Sequence, residues 1–326
     1  MSGERVLLTD NIFDSLAEFE RELSPLGLKV EAAAANDEAT LSAEARSAVA
    51  LVVVYAKITE PVIAAAAGAG CKVISRCGIG YDNIDVAAAT RHGVQVTYVP
   101  DYCLDEVADH TLALLLAFAR GLLPAVLETR GGGWSAPRAG INRLQGRRLA
   151  LLGVGRIGSR VANRALAFGL RVCAYDPYVE RWELEGVERA ATLAEAVDEA
   201  DFVSLHAPLT PENRHLLGED AVAHMNRAPV VINTARGGLV DLEAITRALI
   251  EGRLSGVALD VAEVEPLDPD HPLRRHPGAL ITPHMAFYSK ESEAELKRRA
   301  AEEVVRAIEG RPPRCPVNRL EARALG

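Results

Sequence analysis

Three apolar runs in the second half of the 326-residue chain each break off in residues able to do chemistry. Val230-Val231-Ile232-Asn233-Thr234 leads into Ala235-Arg236-Gly237-Gly238. Gly256-Val257-Ala258-Leu259 leads into Asp260-Val261-Ala262-Glu263-Val264-Glu265-Pro266, and Leu280-Ile281-Thr282-Pro283 leads into His284. Arginine is a permanent, forked cation that can grip a carboxylate through two parallel hydrogen bonds. Histidine exchanges a proton near neutral pH, and a neighbouring carboxylate favours its charged form and holds its ring. Such a set suits a reaction in which an oxygen gains negative charge and must be protonated. Glu263 and Glu265 are rival carboxylates for the pairing with the histidine.

A second feature stands upstream. Leu149-Ala150-Leu151-Leu152 is an apolar strand, followed directly by Gly153-Val154-Gly155-Arg156-Ile157-Gly158 and a helical pattern over 159–167. In this arrangement Gly153 allows a tight turn, Gly155 lets the backbone approach a pyrophosphate, and Gly158 lets helix and strand pack closely. The helix N-terminus offers unpaired N–H groups to the phosphates. A further strand over 170–175 ends in Asp176, 18 residues after Gly158, where a carboxylate binds a ribose diol. A 2′-phosphate beside Asp176 would meet repulsion on the order of 4 kcal/mol at about 4 Å and an effective dielectric of about 20. Pro177 follows instead of an arginine, so the expected cofactor is NAD.

These residues need a scaffold, and the rest of the chain supplies its pattern. Short β-branched runs alternate with Ala/Leu/Glu-rich stretches of helical period, which is the signature of βαβ units and a parallel sheet. The expected elements include a strand from Val6, a helix carrying Ile12, Leu16, Phe19 and Leu23, and strands over 50–55, 72–75 and 94–99. Helices are expected over 61–67, 101–119 and 290–309. The stretch 121–145 changes character, with Gly131-Gly132-Gly133 and an isolated Trp134. Length alone suggests two domains. The joint falls between 100 and 148.

Composition excludes several classes. The chain is 49% hydrophobic and carries a net charge of −9, which argues against nucleic acid as a partner, since phosphate neutralisation needs clustered Lys and Arg. The five cysteines, Cys71, Cys77, Cys103, Cys173 and Cys315, fit neither a disulfide framework nor a zinc ribbon. No run is long enough to cross a bilayer, and the first residues lack a signal-peptide layout, so a cytoplasmic location is expected. His92, His110, His215, His224, His271 and His276 show no metal-ligand spacing and read as solvated or locally bonded; no metal is expected.

Taken in order, the pieces closely resemble the D-2-hydroxyacid dehydrogenase family. They are Arg76-Cys-Gly-Ile-Gly-Tyr-Asp-Asn-Ile-Asp85, the glycine loop, Leu205-His-Ala-Pro-Leu-Thr210, Asn233-Thr-Ala-Arg-Gly-Gly-Leu-Val-Asp241, Asp260…Glu265-Pro266 and Thr282-Pro-His284. Val99-Pro100…Asp105-Glu106-Val107-Ala108-Asp109 and His284-Met-Ala-Phe-Tyr-Ser289 point to the branch of the C-terminal-binding proteins and phosphoglycerate dehydrogenases. The resemblance implies an α/β protein of two doubly wound parallel-sheet domains. A Rossmann nucleotide domain, 101–286, would be inserted into a flavodoxin-like substrate domain, 1–100 with 287–326, and the active site would be the cleft between them. It also implies a homodimer, with 120–147 reaching across.

The same resemblance implies hydride transfer between NAD(H) and a 2-oxo acid/D-2-hydroxy acid pair. Arg236, Glu265 and His284 become the catalytic set, and Glu265 precedes Pro266 as the family pattern requires. Backbone amides at Ile79 and Gly80 would hold the substrate carboxylate, with Arg76 at the loop's edge. The aromatic residues Tyr81, Phe287 and Tyr288 by themselves suggest an aromatic-lined pocket for an apolar substrate side chain. Besides the glycine loop, the implied cofactor contacts are Arg156, Ile157, Asp176, His206, Pro208, Thr234, Ala235, Arg236, Asp260 and His284. Asn213 stands where many members have Thr. Two other readings share the fold: an NAD-responsive corepressor-like interaction protein, and a formate or phosphite dehydrogenase. Formate enzymes pair the histidine with Gln, whereas Glu265 stands here.

Overall fold

The computed structural model describes residues 4–136 and 140–320. It divides into two compact units, Met1–Tyr102 with Ser289–Gly326, and Cys103–Tyr288. The first unit runs β1 (Arg5–Leu8), α1 (Ala17–Leu23), β2 (Lys29–Ala32), α2 (Glu38–Glu44), β3 (Ala48–Val53), α3 (Glu60–Gly68), β4 (Val73–Arg76), α4 (Val86–Arg91) and β5 (Gln95–Thr97). The second unit opens with α5 (Leu104–Ala119), α6 (Leu122–Arg130), β6 (Arg148–Leu152), α7 (Arg156–Ala167), β7 (Arg171–Tyr175) and β8 (Val187–Arg189). It continues with α8 (Leu193–Val197), β9 (Phe202–Leu205), α9 (Glu219–Ala223), β10 (Val230–Asn233), α10 (Leu242–Ile250), β11 (Gly256–Leu259) and β12 (Ala279–Ile281). The last helix, α11 (Lys290–Ile308), belongs to the first unit.

In the first unit the strands lie in the order β2-β1-β3-β4-β5, all parallel, which is flavodoxin-like. Helix α1 is shorter than its apolar spacing suggests. Ile12 lies outside it and is solvent-exposed. The Asn11 carboxamide accepts from the Phe13 N–H and the Ser15 hydroxyl from the Ala17 N–H, so local side-chain turns displace the first helical turn. After α11 the Pro-rich tail returns along β5. Thr97 bridges Pro316 in antiparallel sense, and buried Asn318 bonds Val96 N–H and the Val94 carbonyl, which covers an otherwise open sheet edge.

In the second unit the order is β12-β11-β10-β9-β6-β7-β8, again parallel throughout. Succession reverses between β6 and β9, which opens a crevice at the carboxyl ends of those strands. Side chains alternate between two buried faces. Ala150, Leu152, Val203 and Leu205 face one core, while Leu149, Leu151, Phe202 and Ile232 face the other. Helix α5 crosses the second face, burying Ala108, Thr111, Leu112 and Leu115, and it packs on α7. The irregular stretch expected after 121 contains α6, a helix with no buried residue among those described. Leu122, Val126 and Leu127 on it are exposed. Residues 137–139 of that stretch lie outside the described residues.

Candidate active site

The glycine loop follows β6 at the strand-order reversal. Gly153 has φ +96°, and a Cβ there would come within 2.8 Å of the Ala207 nitrogen. A Cβ on Gly158 would meet the Gly153 carbonyl oxygen at 2.3 Å, so helix α7 and strand β6 approach as only glycine allows. Gly155 differs: nothing lies within 4 Å of its Cβ position, and it stands at the N-cap of α7. The three glycines therefore divide into two that pack backbone on backbone and one that leaves space open at a helix N-terminus. That space fits the pyrophosphate of a dinucleotide. The Asp176 carboxylate receives Val154 N–H at 3.0 Å and Tyr178 N–H at 3.0 Å, tying the end of β7 to the loop. Each oxygen keeps a further lone pair for a ribose hydroxyl. Arg156 opens α7, and Ile157 is partly buried against the core.

His206, at the end of β9, flanks the same reversal. Its Nε2 lies 2.9 Å from the Ser204 hydroxyl, and burial pushes the imidazole down from 6.5 to about 3, so it is neutral. The turn after it is closed by Asn213, whose Oδ1 accepts from Thr210 N–H and whose Nδ2 donates to the Pro208 carbonyl, both at 2.7 Å. The amide that sequence directs to the cofactor thus shapes the turn carrying Pro208.

The polar ends of β10, β11 and β12 come together. Glu265 and His284 meet, with Oε2 2.6 Å from Nδ1. Glu265 Oε1 accepts from Ala262 N–H at 2.9 Å. Burial pushes this carboxyl up, but the His284 bond and charge, the Ala262 amide and the Arg236 charge outweigh it, leaving it below its ordinary value. Glu263, the rival, pairs elsewhere, with the Arg214 guanidinium and at 2.8 Å with His215. The Phe287 ring stands edge-on to His284 at 6.4 Å between centroids. Arg236 follows a turn made by fully buried Asn233, which accepts from Ala235 N–H and donates to the Arg236 carbonyl. Gly237 closes that turn against the next loop, since a Cβ would lie 2.0 Å from the Ala262 carbonyl.

His284 has φ +51°, a left-handed conformation that costs a non-glycine residue about 1–2 kcal/mol. Asp260 maintains it. Its carboxylate accepts from the Thr282 hydroxyl at 2.6 Å and from Met285 and Ala286 N–H at 2.9 Å each, and its carbonyl accepts from His284 N–H at 2.8 Å. The residue implied as a cofactor contact is therefore also the clamp on the histidine loop. Thr234 lies 2.8 Å from the buried Thr111 hydroxyl of α5. The sequence places Asn233 and Thr282 in the strand-end motifs without a role for either, and gives none to Thr111. Asn233 alone carried a local signal, a polar residue closing an apolar strand before a glycine pair. Among the described residues no cluster of three or more His, Cys, Asp or Glu could hold a metal ion.

In the first unit, the loop after β4 carries the remaining candidates. Arg76 is buried and donates to the Cys77 carbonyl. Its guanidinium lies where a Cβ on Gly78 would be, at 2.3 Å. Ile79 and Gly80 follow, and Tyr81 packs edge-on against Tyr98 with 5.6 Å between centroids.

Residues 112–286 match the family model of the D-isomer specific 2-hydroxyacid dehydrogenase NAD binding domain. Glyoxylate reductase of Korarchaeum cryptofilum is 38% identical over 270 residues, 80% of this chain and 81% of that one. D-3-phosphoglycerate dehydrogenase of Methanocaldococcus jannaschii is 37% identical over 309 residues, 94% of this chain; the chain spans 58% of that relative's length. D-lactate dehydrogenase of Aquifex aeolicus, solved with NAD and lactic acid, shares the fold with a TM-score of 0.84 and 30% identity, covering 94% of this chain and 96% of that one. The chain belongs to the D-isomer specific 2-hydroxyacid dehydrogenase family. It is an NAD-dependent oxidoreductase of the class that moves a hydride between NAD(H) and a 2-oxo acid/2-hydroxy acid pair.

Proposed function

We propose that this protein reduces a 2-oxo acid through Arg236, Glu265 and His284, and that the contact between His284 Nδ1 and Glu265 Oε2 at 2.6 Å carries the assignment. Bound NADH supplies the hydride to the carbonyl carbon. Arg236 orients the substrate carboxylate and polarises the carbonyl. Glu265 keeps a proton at His284 Nδ1, which directs Nε2 to the carbonyl oxygen to deliver the second proton as charge builds there. The amides of Ile79 and Gly80, with Arg76 behind them, take the carboxylate, and Tyr81 and Phe287 border the substrate side chain. The open N-terminus of α7 takes the pyrophosphate with Gly153, Gly155, Arg156, Ile157 and Gly158, and Asp176 takes the adenosine ribose. His206, Pro208, Asn213, Thr234, Ala235 and Asp260 line the rest of the cofactor's path.

The protein works as a homodimer in the cytoplasm. The exposed apolar face of α6, with Leu122, Val126 and Leu127, and the nearby Trp134 support the dimer. Five free cysteines, four of them buried, support a reducing compartment. The test is NADH oxidation against glyoxylate, pyruvate, hydroxypyruvate, phenylpyruvate and 4-methylthio-2-oxobutyrate. Turnover of at least one, abolished by His284→Ala, is expected; no turnover of any, with NADH bound, overturns the reading.

A further inference from the structure

Helix α5 reaches the site from below at several points. Asp105 and Asp109 hold Arg164 of α7 at 2.8 and 2.6 Å, so α5 is docked to the glycine-loop helix. The next two residues, His110 and Thr111, point to two strand-end loops. Thr111 meets Thr234 beside the Arg236 turn, and His110 meets the loop that carries His284. His110 Nε2 lies 3.1 Å from the Thr282 hydroxyl and 3.7 Å from Asp260 Oδ1, and the side chain is 19% exposed.

Proton inventory fixes the direction of this chain. The Thr282 hydroxyl has one hydrogen, and it goes to Asp260 Oδ1 at 2.6 Å. Thr282 Oγ1 must then accept from His110, so His110 carries its proton on Nε2. The same Asp260 carboxylate grips the Met285 and Ala286 amides. His110 is thus the outermost donor of a chain that ends on the two backbone amides directly after a strained His284. We propose that His110 is a positioning residue for the reaction: through Thr282 and Asp260 it sets the orientation of the His284 ring, without touching substrate or cofactor. Removing the donor leaves Thr282 Oγ1 short of one partner in a half-buried place and frees its hydroxyl to turn away from Asp260, which loosens the clamp.

The inference rests on the role proposed for His284, and the test separates the two. The variants are His110→Phe, which keeps bulk without a donor, His110→Gln, whose amide N–H can stand near the Nε2 position, and Thr282→Val. His110→Phe and Thr282→Val are expected to lower kcat for glyoxylate reduction roughly ten- to a hundredfold with the NADH KM within about twofold, the signature of misalignment rather than lost binding. His110→Gln should recover most of that loss. In the chain without cofactor, the nitrogen-15 imidazole spectrum should show the His284 Nδ1–H signal moved in the first two variants and retained in His110→Gln. Wild-type kcat and an unmoved His284 signal in His110→Phe would overturn the proposal, as would equal impairment of the Phe and Gln variants. Should the wild type turn over no 2-oxo acid, the proposed function fails, while the spectra still decide the role of His110.

Discussion

The His284–Glu265 contact links geometry to a pH profile. Burial raises the Glu265 carboxyl, but the His284 hydrogen bond and charge hold it low. That contribution to stability is present above the ordinary carboxylate range and is lost as pH falls through the lowered value. In the proposed reaction Glu265 holds the His284 ring through Nδ1, leaving Nε2 to face the carbonyl oxygen. Glu265→Gln should therefore lower kcat for 2-oxo acid reduction at least about tenfold with the NADH KM little changed, the signature of a misaligned donor; an unchanged kcat would contradict the pairing. Arg236→Ala and His284→Ala should each lower turnover at least about a hundredfold, as for loss of one transition-state donor. His206 makes a separate prediction. Its folded value of about 3 lies below 6.5, so the unfolded chain binds more protons as pH drops between them, and stability falls. His206 is only partly shielded from solvent, which makes the full interval an upper bound. Melting curves of His206→Gln between these limits should fall less steeply than wild type.

At the scale of elements, the glycine loop separates packing from binding. Gly158→Ala places a methyl against the Gly153 carbonyl and should lower the melting temperature of the cofactor-free protein. Gly155→Ala meets nothing and has an ordinary φ of −67°, so stability should be unchanged while NADH affinity, read by fluorescence titration, weakens at least about tenfold through the blocked approach to phosphate. Equal loss of stability in both variants would deny that assignment. Asp176→Ala should narrow the preference for NAD over NADP in steady-state kinetics, since it removes the like-charge penalty on a 2′-phosphate. Elements with strong local signals were legible in the sequence: β6, the loop and α7 from the glycine spacing, and β10 and β11 from apolar runs ending in polar residues. Helix α1 is shorter than apolar periodicity predicts because Asn11 and Ser15 offer local bonds that periodicity does not register. Helix α6 is hidden in the sequence by Pro124 and by the glycines at both its ends, Gly121 and Gly131–Gly133.

At the scale of the molecule, α6 and Trp134 leave apolar side chains in water: Leu127 is 57% and Trp134 93% exposed. A second copy covering this face would remove that cost. Leu127→Asp should therefore shift the sedimentation coefficient from dimer toward monomer, and a monomeric wild type would refute the assembly. The sequence by itself determined the class of sheet, the dinucleotide loop and the three strand ends that carry Arg236, Glu265 and His284, because each is written in contiguous residues. It could not decide between Glu263 and Glu265 without the family pattern, since they stand two apart on one loop; the fold pairs Glu263 with Arg214 and His215 and turns Glu265 to His284. Nor could it distinguish His110 from a surface histidine. The partners of His110, Thr282 and Asp260, lie more than a hundred residues away in sequence, and a hydrogen-bond chain across that separation exists only once β11, β12 and α5 are packed together.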